Sequence, residues 1–158
     1  MKIKEFILKK RDDSKGARDF YISAQAHDNF LNPMQEDLKK YGVEMTELIL
    51  YSILLSAKNM KSKGGHSNVS SSYLQKTKSE DPAKAVFNIT NLDTSKLEFL
   101  LCIMVDLYGD QSIFDYKEMI RNLQELAEEG LKILYDKYTQ DYLIGPSKFI
   151  DDIFNGKL

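Results

Sequence analysis

A chain of 158 residues with 42% apolar and 29% charged side chains has the size and balance of one globular domain able to bury its own core. A single cysteine excludes an intrachain disulfide, and the longest apolar runs, at Leu48–Leu55 and Leu97–Val105, are too short to cross a bilayer. The formal net charge of −2 is unevenly placed: residues 1–90 carry 15 Lys/Arg against 11 Asp/Glu, and residues 91–158 carry 7 against 13, which gives a basic front half and an acidic remainder.

The first residues, Met1-Lys2-Ile3-Lys4-Glu5, lack the apolar stretch and cleavage site of a signal peptide, so a cytoplasmic location is expected. Residues 2–8 and 18–23 are rich in β-branched and aromatic types, and Lys9–Gly16 between them has turn chemistry. That pattern predicts a short N-terminal antiparallel hairpin. A helical turn over Ala24–Leu31 is followed by a helix at Asn32-Pro33, where Asn suits the cap and Pro the first helical position. Gly42 ends it. The next helix runs from near Glu44 to about Lys61, with acids in its first turn and lysines at its end, as the helix dipole prefers.

Residues 62–82 turn polar and read as part of a loop extending to residue 90. Asp93-Thr94-Ser95 caps a helix over 96–108 that Gly109 stops. Ser112 and Asp115 form a capping pattern before a longer helix with the stripe Tyr116, Met119/Ile120, Leu123, Leu126/Ala127, Leu131, Leu134 and Tyr138. Gly130 inside that stripe predicts close helix packing or a small bend. A last short helix spans Ser147–Phe154. The two apolar runs have few polar positions, which predicts that helices 45–60 and 96–108 lie side by side at the centre, with the Cys102 thiol buried and inert. The expected fold is therefore mainly α. It is one compact domain of five to six helices over residues 1–158, with a hairpin arm at 1–23 and a first helical part at 24–61. The polar loop 62–90 and C-terminal helices at 91–158 complete it.

No residue pattern points to catalysis. The two histidines, His27 and His66, with one apolar-flanked cysteine cannot furnish a zinc site, so no metal and no cofactor are expected. His66 with Ser67 or Ser70–Ser72 lacks the strand-to-helix turn that exposes a nucleophile, and Gly64-Gly65 is too short to cradle phosphate. Pairs such as Glu128-Glu129 and Asp151-Asp152 read as solvent-facing charge. What remains is basic: Lys9, Lys10, Arg11 and Arg18 in the front arm, and Lys58, Lys61 and Lys63 beside a loop with Lys76 and Lys78. These are candidate nucleic-acid contacts that would neutralise phosphates.

Two resemblances follow from particular residues. The order strand 18–23, helix, Gly42 turn, then Glu44-Met45-Thr46-Glu47-Leu48-Ile49 resembles ribbon-helix-helix repressors. That likeness implies a dimer pairing one strand from each subunit, with Arg18 and Tyr21 facing DNA. From Leu48 to Tyr138 the chain is similar to small helical accessory proteins encoded beside bacterial DNA-phosphorothioation (Dnd) genes. The likeness rests on a helix ending Lys58-Asn59-Met60-Lys61, on an apolar helix closing at Gly109-Asp110 before Ile113, and on Glu125-Leu126-Ala127 followed by Gly130-Leu131-Lys132-Ile133-Leu134. It differs where the family tends to have Gly in place of Met60, and the likeness does not extend before residue 40 or through 64–90. It implies association with a prokaryotic DNA-modification or phage-defence cluster and no defined activity; together with the missing catalytic pattern, the expectation is a non-enzymatic accessory or regulatory protein acting through protein or DNA contacts. A protein from the same gene cluster would be its partner, nucleic acid and a homodimer are compatible with it, and no membrane is involved. The alternative is a dimeric ribbon-helix-helix repressor.

Overall fold

The computed structural model describes residues 2–16, 18–62, 83–142 and 146–154. Its first element is a helix, α1 (Ile3–Ser14), where a strand is expected from the β-branched content. The period explains the difference: Ile3, Ile7 and Arg11 recur at helical spacing, and Ile7 and Arg11 are buried on one side. Glu5 folds back so that its carboxylate accepts the Lys2 N–H at 3.4 Å, and the chain leaves the helix through Lys15 in the left-handed region at φ 53°. Gly16 follows because a side chain there would meet the Tyr116 ring at 2.5 Å.

Strand β1 (Asp19–Ile22) forms as expected, but its partner is β2 (Lys84–Asn88), from the far end of the expected polar loop. The predicted N-terminal hairpin is therefore replaced by an antiparallel pair between distant segments. Phe20 lies opposite Phe87 and Tyr21 opposite Ala85, with an irregularity between them that leaves Val86 as the extra residue. The Phe20 and Phe87 rings stack at 4.8 Å, so cross-strand aromatic packing holds the register that no short turn could fix.

The segment α2 is one continuous helical run. It opens at Ala24–Ala26, widens to a π-turn at His27–Leu31, returns to α at Asn32–Leu38 and tightens to a 3₁₀ turn at Lys39–Tyr41. Ser23 is its cap, accepting the Ala26 N–H at 3.0 Å, while Asn32 is helical and not a cap. The wide turn has a cause: Pro33 lacks an N–H and would crowd the carbonyl four residues back, and the π-turn ends just before it. Gly42, at φ 82°, ends the run as its sequence position suggests.

Helix α3 (Met45–Ser62) starts with Glu47 accepting the Glu44 N–H at 3.3 Å. Helix α4 (Thr94–Tyr108) is capped by Asp93, whose carboxylate accepts the Lys96 N–H at 2.9 Å, and Gly109 at φ 89° stops it. A 3₁₀ turn over Asp110–Ile113 leads to α5 (Tyr116–Tyr142). The cap of α5 is Asp115, which accepts the Glu118 N–H at 3.1 Å. Ser112 instead donates to the Gly109 carbonyl at 2.7 Å. Helix α6 (Pro146–Phe154) packs Phe149, fully buried, edge-on to Tyr138.

The core draws buried residues from all six helices and β1, while Val86 and Phe87 of β2 and Ile113 of the 3₁₀ turn pack against it half-buried. Its main seam is α3 against α5, not α3 against α4 as the two apolar runs suggest. Ser52, Ser56 and Ala57 on α3 and Ala127 and Gly130 on α5 are all buried, and small side chains there let the two backbones approach. A Cβ on Gly130 would lie 1.7 Å from the Ser52 carbonyl oxygen. Around this crossing Leu48, Ile49 and Ile53 meet a core that includes Leu123, Leu126, Leu131 and Leu134.

Candidate docking groove

Both apolar runs are helical, and Ile53 and Ile103 are buried as expected. Each helix nevertheless keeps a face outside. Leu50, Tyr51 and Leu54 on α3 and Phe99 on α4 are half-buried, and with Glu47, Asp93, Ser95 and Lys96 they line an open concavity of about 440 Å³. Further along α4, Leu101, Cys102, Val105 and Asp106 line a second, separate concavity. The Cys102 thiol is exposed, which corrects its expected burial: the run is apolar on every side, but the body of the protein covers only one side of it.

The groove has a direction. Its head joins the first turns of α3 and α4, at Glu47 and Asp93. Lys61 and Asp106, near the ends of the same two helices, form an ion pair. The helices therefore run the same way along it, α4 bordering α3 on the side that α5 leaves open. Lys96 stands 3.5 Å from Asp93 at the head, and that cap's hydrogen bonds, first from the Lys96 N–H, hold the Asp93 carboxyl below its usual range.

The candidate nucleic-acid contacts fall on separate elements. Lys9 is exposed on α1. Lys10 lies over the Phe6 and Phe114 rings, 5.7 and 5.4 Å from their centres. Arg11 leaves the set: it is 8% exposed, its Nε donates to Asp12 at 3.1 Å, and its stem packs into the core. Its Nη1 has no hydrogen-bond partner among the described residues. Arg18 is exposed beside β1, where its carbonyl accepts the Ile89 N–H at 2.8 Å. Tyr21 lines a cleft of mixed polarity with Asp19, Tyr116, Lys117, Ile120 and Arg121. Lys58 and Lys61 are exposed on the last turns of α3; Lys63, Lys76 and Lys78 lie outside the described residues, as does His66.

Glu128 reverses a second expectation. It is 4% exposed, and its carboxylate accepts the Ser23 backbone N–H at the start of α2. Burial pushes the Glu128 carboxyl up, while the Ser23 donors pull the other way. Its position in the stripe one residue after Ala127 is the signal that sequence reading passed over. His27 Nδ1 and Lys84 Nζ both approach Asp28 Oδ1, at 2.8 and 3.2 Å, tying the π-turn to β2, and their hydrogen bonds lower the Asp28 carboxyl. Among the described residues no three His, Cys, Asp or Glu side chains gather as a metal site, and no helix is long and apolar enough to cross a membrane. Comparisons of the chain with protein-family models, with curated proteins and with solved structures find no match.

Proposed function

We propose that this chain is a non-enzymatic accessory or regulatory protein of a prokaryotic DNA-modification or phage-defence system, acting through protein contacts. The observation that carries the contact part is the α3–α4 groove. Two helices present leucine and aromatic side chains to solvent along an open channel rimmed by charge, the surface chemistry of a protein-docking site. The setting rests on the likeness of residues 48–138 to the Dnd-associated accessory proteins, a stretch that includes α4 and all of α3 after its first three residues.

The repressor alternative fits less well. In ribbon-helix-helix proteins the strand is paired between subunits, and here β1 is already paired with β2 of its own chain.

The test is co-expression of the chain with the products of the genes that flank it, followed by tandem purification. A neighbouring product that co-purifies stoichiometrically supports the proposal. A chain that binds none of them, while folded by circular dichroism, refutes it. Salt-sensitive binding to its own promoter, lost in Arg18→Ala, would instead favour the repressor.

A further inference from the structure

We infer that the cleft between β1 and the first turns of α5 is a binding site for a small phosphate monoester, with Lys117 and Arg121 taking the phosphate and Asp19 a hydroxyl of the organic part. The inference goes beyond the docking reading and does not depend on it.

The cleft has walls of two kinds. Phe20 and Ile22 turn into the core, so alternation puts Asp19 and Tyr21 on the other, half-buried face of β1. On the helix side Lys117, Arg121 and Gln124 follow at spacings of four and three, which is one face of α5. Buried Tyr116 and Ile120 complete the lining. The volume, about 340 Å³, lies at the small end of the range for small-molecule sites. It suits one sugar phosphate or mononucleotide.

Charge decides the ligand. Lys117 and Arg121 are exposed like charges one turn apart, an arrangement that weakens a helix unless an anion lies between them. Among the described residues no carboxylate pairs with Lys117. Arg121 reaches Glu118 only at 3.4 Å, beyond the ~2.7–2.9 Å of a close charged bond, so an anion can displace that contact. Asp19 has no cation partner among the described residues either. The cleft thus keeps two cations and one carboxylate apart, for a net +1. Its ammonium and guanidinium only donate, the Gln124 amide and Tyr21 hydroxyl can donate, and Asp19 alone only accepts. A phosphate monoester uses such a set: its terminal oxygens take the donors, and a hydroxyl on the esterified part donates to Asp19. Inorganic phosphate lacks the second half of that match. Burial pushes the Tyr116 phenol up while the Arg11 guanidinium pulls the other way, so a third positive charge acts on the same lining.

The test is an NMR titration of the full chain with ribose 5-phosphate, adenosine monophosphate and inorganic phosphate as probes. Either ester should shift the amide signals of residues 19–21 and 116–124 with a Kd of about 1 mM or tighter, and inorganic phosphate should bind roughly tenfold more weakly. Lys117→Gln and Arg121→Gln should each raise the ester Kd about tenfold, with an unchanged thermal melt because both side chains are exposed. Lys132→Gln, exposed further along α5, should leave it unaltered. Asp19→Asn should weaken the esters and not inorganic phosphate, whereas a merely electrostatic surface would bind all three more tightly once that carboxylate is gone. Equal affinities for the two esters assign the site to the sugar phosphate; a tighter adenosine monophosphate, with the gain lost in Tyr21→Leu, assigns it to the nucleotide. Three results overturn the inference: no shift with either ester, binding that survives both cation replacements, or an Asp19→Asn chain that binds ester and inorganic phosphate alike more tightly.

Discussion

Gly130→Ala should destabilise this protein, although in an open helix the same change would stabilise it. Alanine is the better helix former by about 1 kcal/mol. Against that stands the crossing of α5 over α3: the new Cβ would sit 1.7 Å from the Ser52 carbonyl oxygen, 2.3 Å from its carbon and 2.8 Å from its Cα. All three are backbone atoms, so no rotamer change relieves the clash. Reaching even 3.0 Å from the oxygen requires the helices to part by at least about 1.3 Å. A gap of 0.5–1 Å already forfeits about a quarter to a half of a dispersion contact. The contacts at risk are those of the main core seam, around Ile49, Ile53, Ala127 and Leu131. Overpacking of this kind costs about 1–3 kcal/mol and occasionally more, and backbone against backbone belongs at the upper end. The net expectation is a loss of about 2 kcal/mol, or about 4–8 °C in Tm for a chain of this size. Urea denaturation of Gly130→Ala beside Lys132→Ala, an exposed site on the same helix, measures it. A Gly130→Ala protein as stable as the parent would refute the close crossing and with it the account of how α3 and α5 meet.

Three further outcomes follow from the packing. Because Glu128 is protonated more readily in the folded chain than in the unfolded one, its contribution is full below its ordinary value of 4.5 and is lost as pH rises through its raised folded value. Urea titrations across that range should show parent stability falling relative to Glu128→Gln, and a constant difference would contradict the burial of that carboxyl. Asp28 and Asp93, whose carboxyls are lowered, act in the opposite sense below 3.8 and are common to both proteins, so the comparison isolates Glu128. Ser23→Ala removes the acceptor for the Ala26 N–H and should cost about 1 kcal/mol, read by chemical denaturation; no change would mean that α2 is capped otherwise. Phe20→Ala should cost about 3–5 kcal/mol, and Phe87→Ala less, because Phe20 is fully buried while Phe87 is half-buried. Equal losses would contradict the placement of β2 outside β1.

How far the sequence discloses this fold depends on the range of the interaction involved. Caps and stops made by neighbours in the chain are legible: Asp93 before α4, Gly109 after it, Gly42 after α2 and the stripe of α5 are where their residue types put them. The first helix is misjudged when composition is weighed above period, since Ile3, Phe6 and Ile7 suit a strand by type and a helix by spacing. Strand β2 is invisible locally. Ala85-Val86-Phe87 is short, follows a polar stretch, and becomes a strand because Phe20 lies ready to stack with Phe87. Arg11 and Glu128 mislead for a related reason. A charged residue on a helical stripe looks like surface until a distant group, the core beside α1 or the Ser23 N–H, takes it inside.

The groove comes from the same limit seen from the apolar side. A helix that is apolar all round is expected to be surrounded, and α3 and α4 are both of that kind. Helix α5, continuous with the rest of the core, covers one side of α3, and α1 with α5 covers one side of α4. The described elements leave the remaining sides of both helices only partly covered, as the high surface-to-volume ratio of a small domain favours. The residual faces, Leu50, Tyr51 and Leu54 on one helix and Phe99 and Cys102 on the other, are consequently adjacent, parallel and open to solvent. Apolar side chains left outside at that density favour association. The same two runs that supply part of the core thus also supply the face proposed for docking.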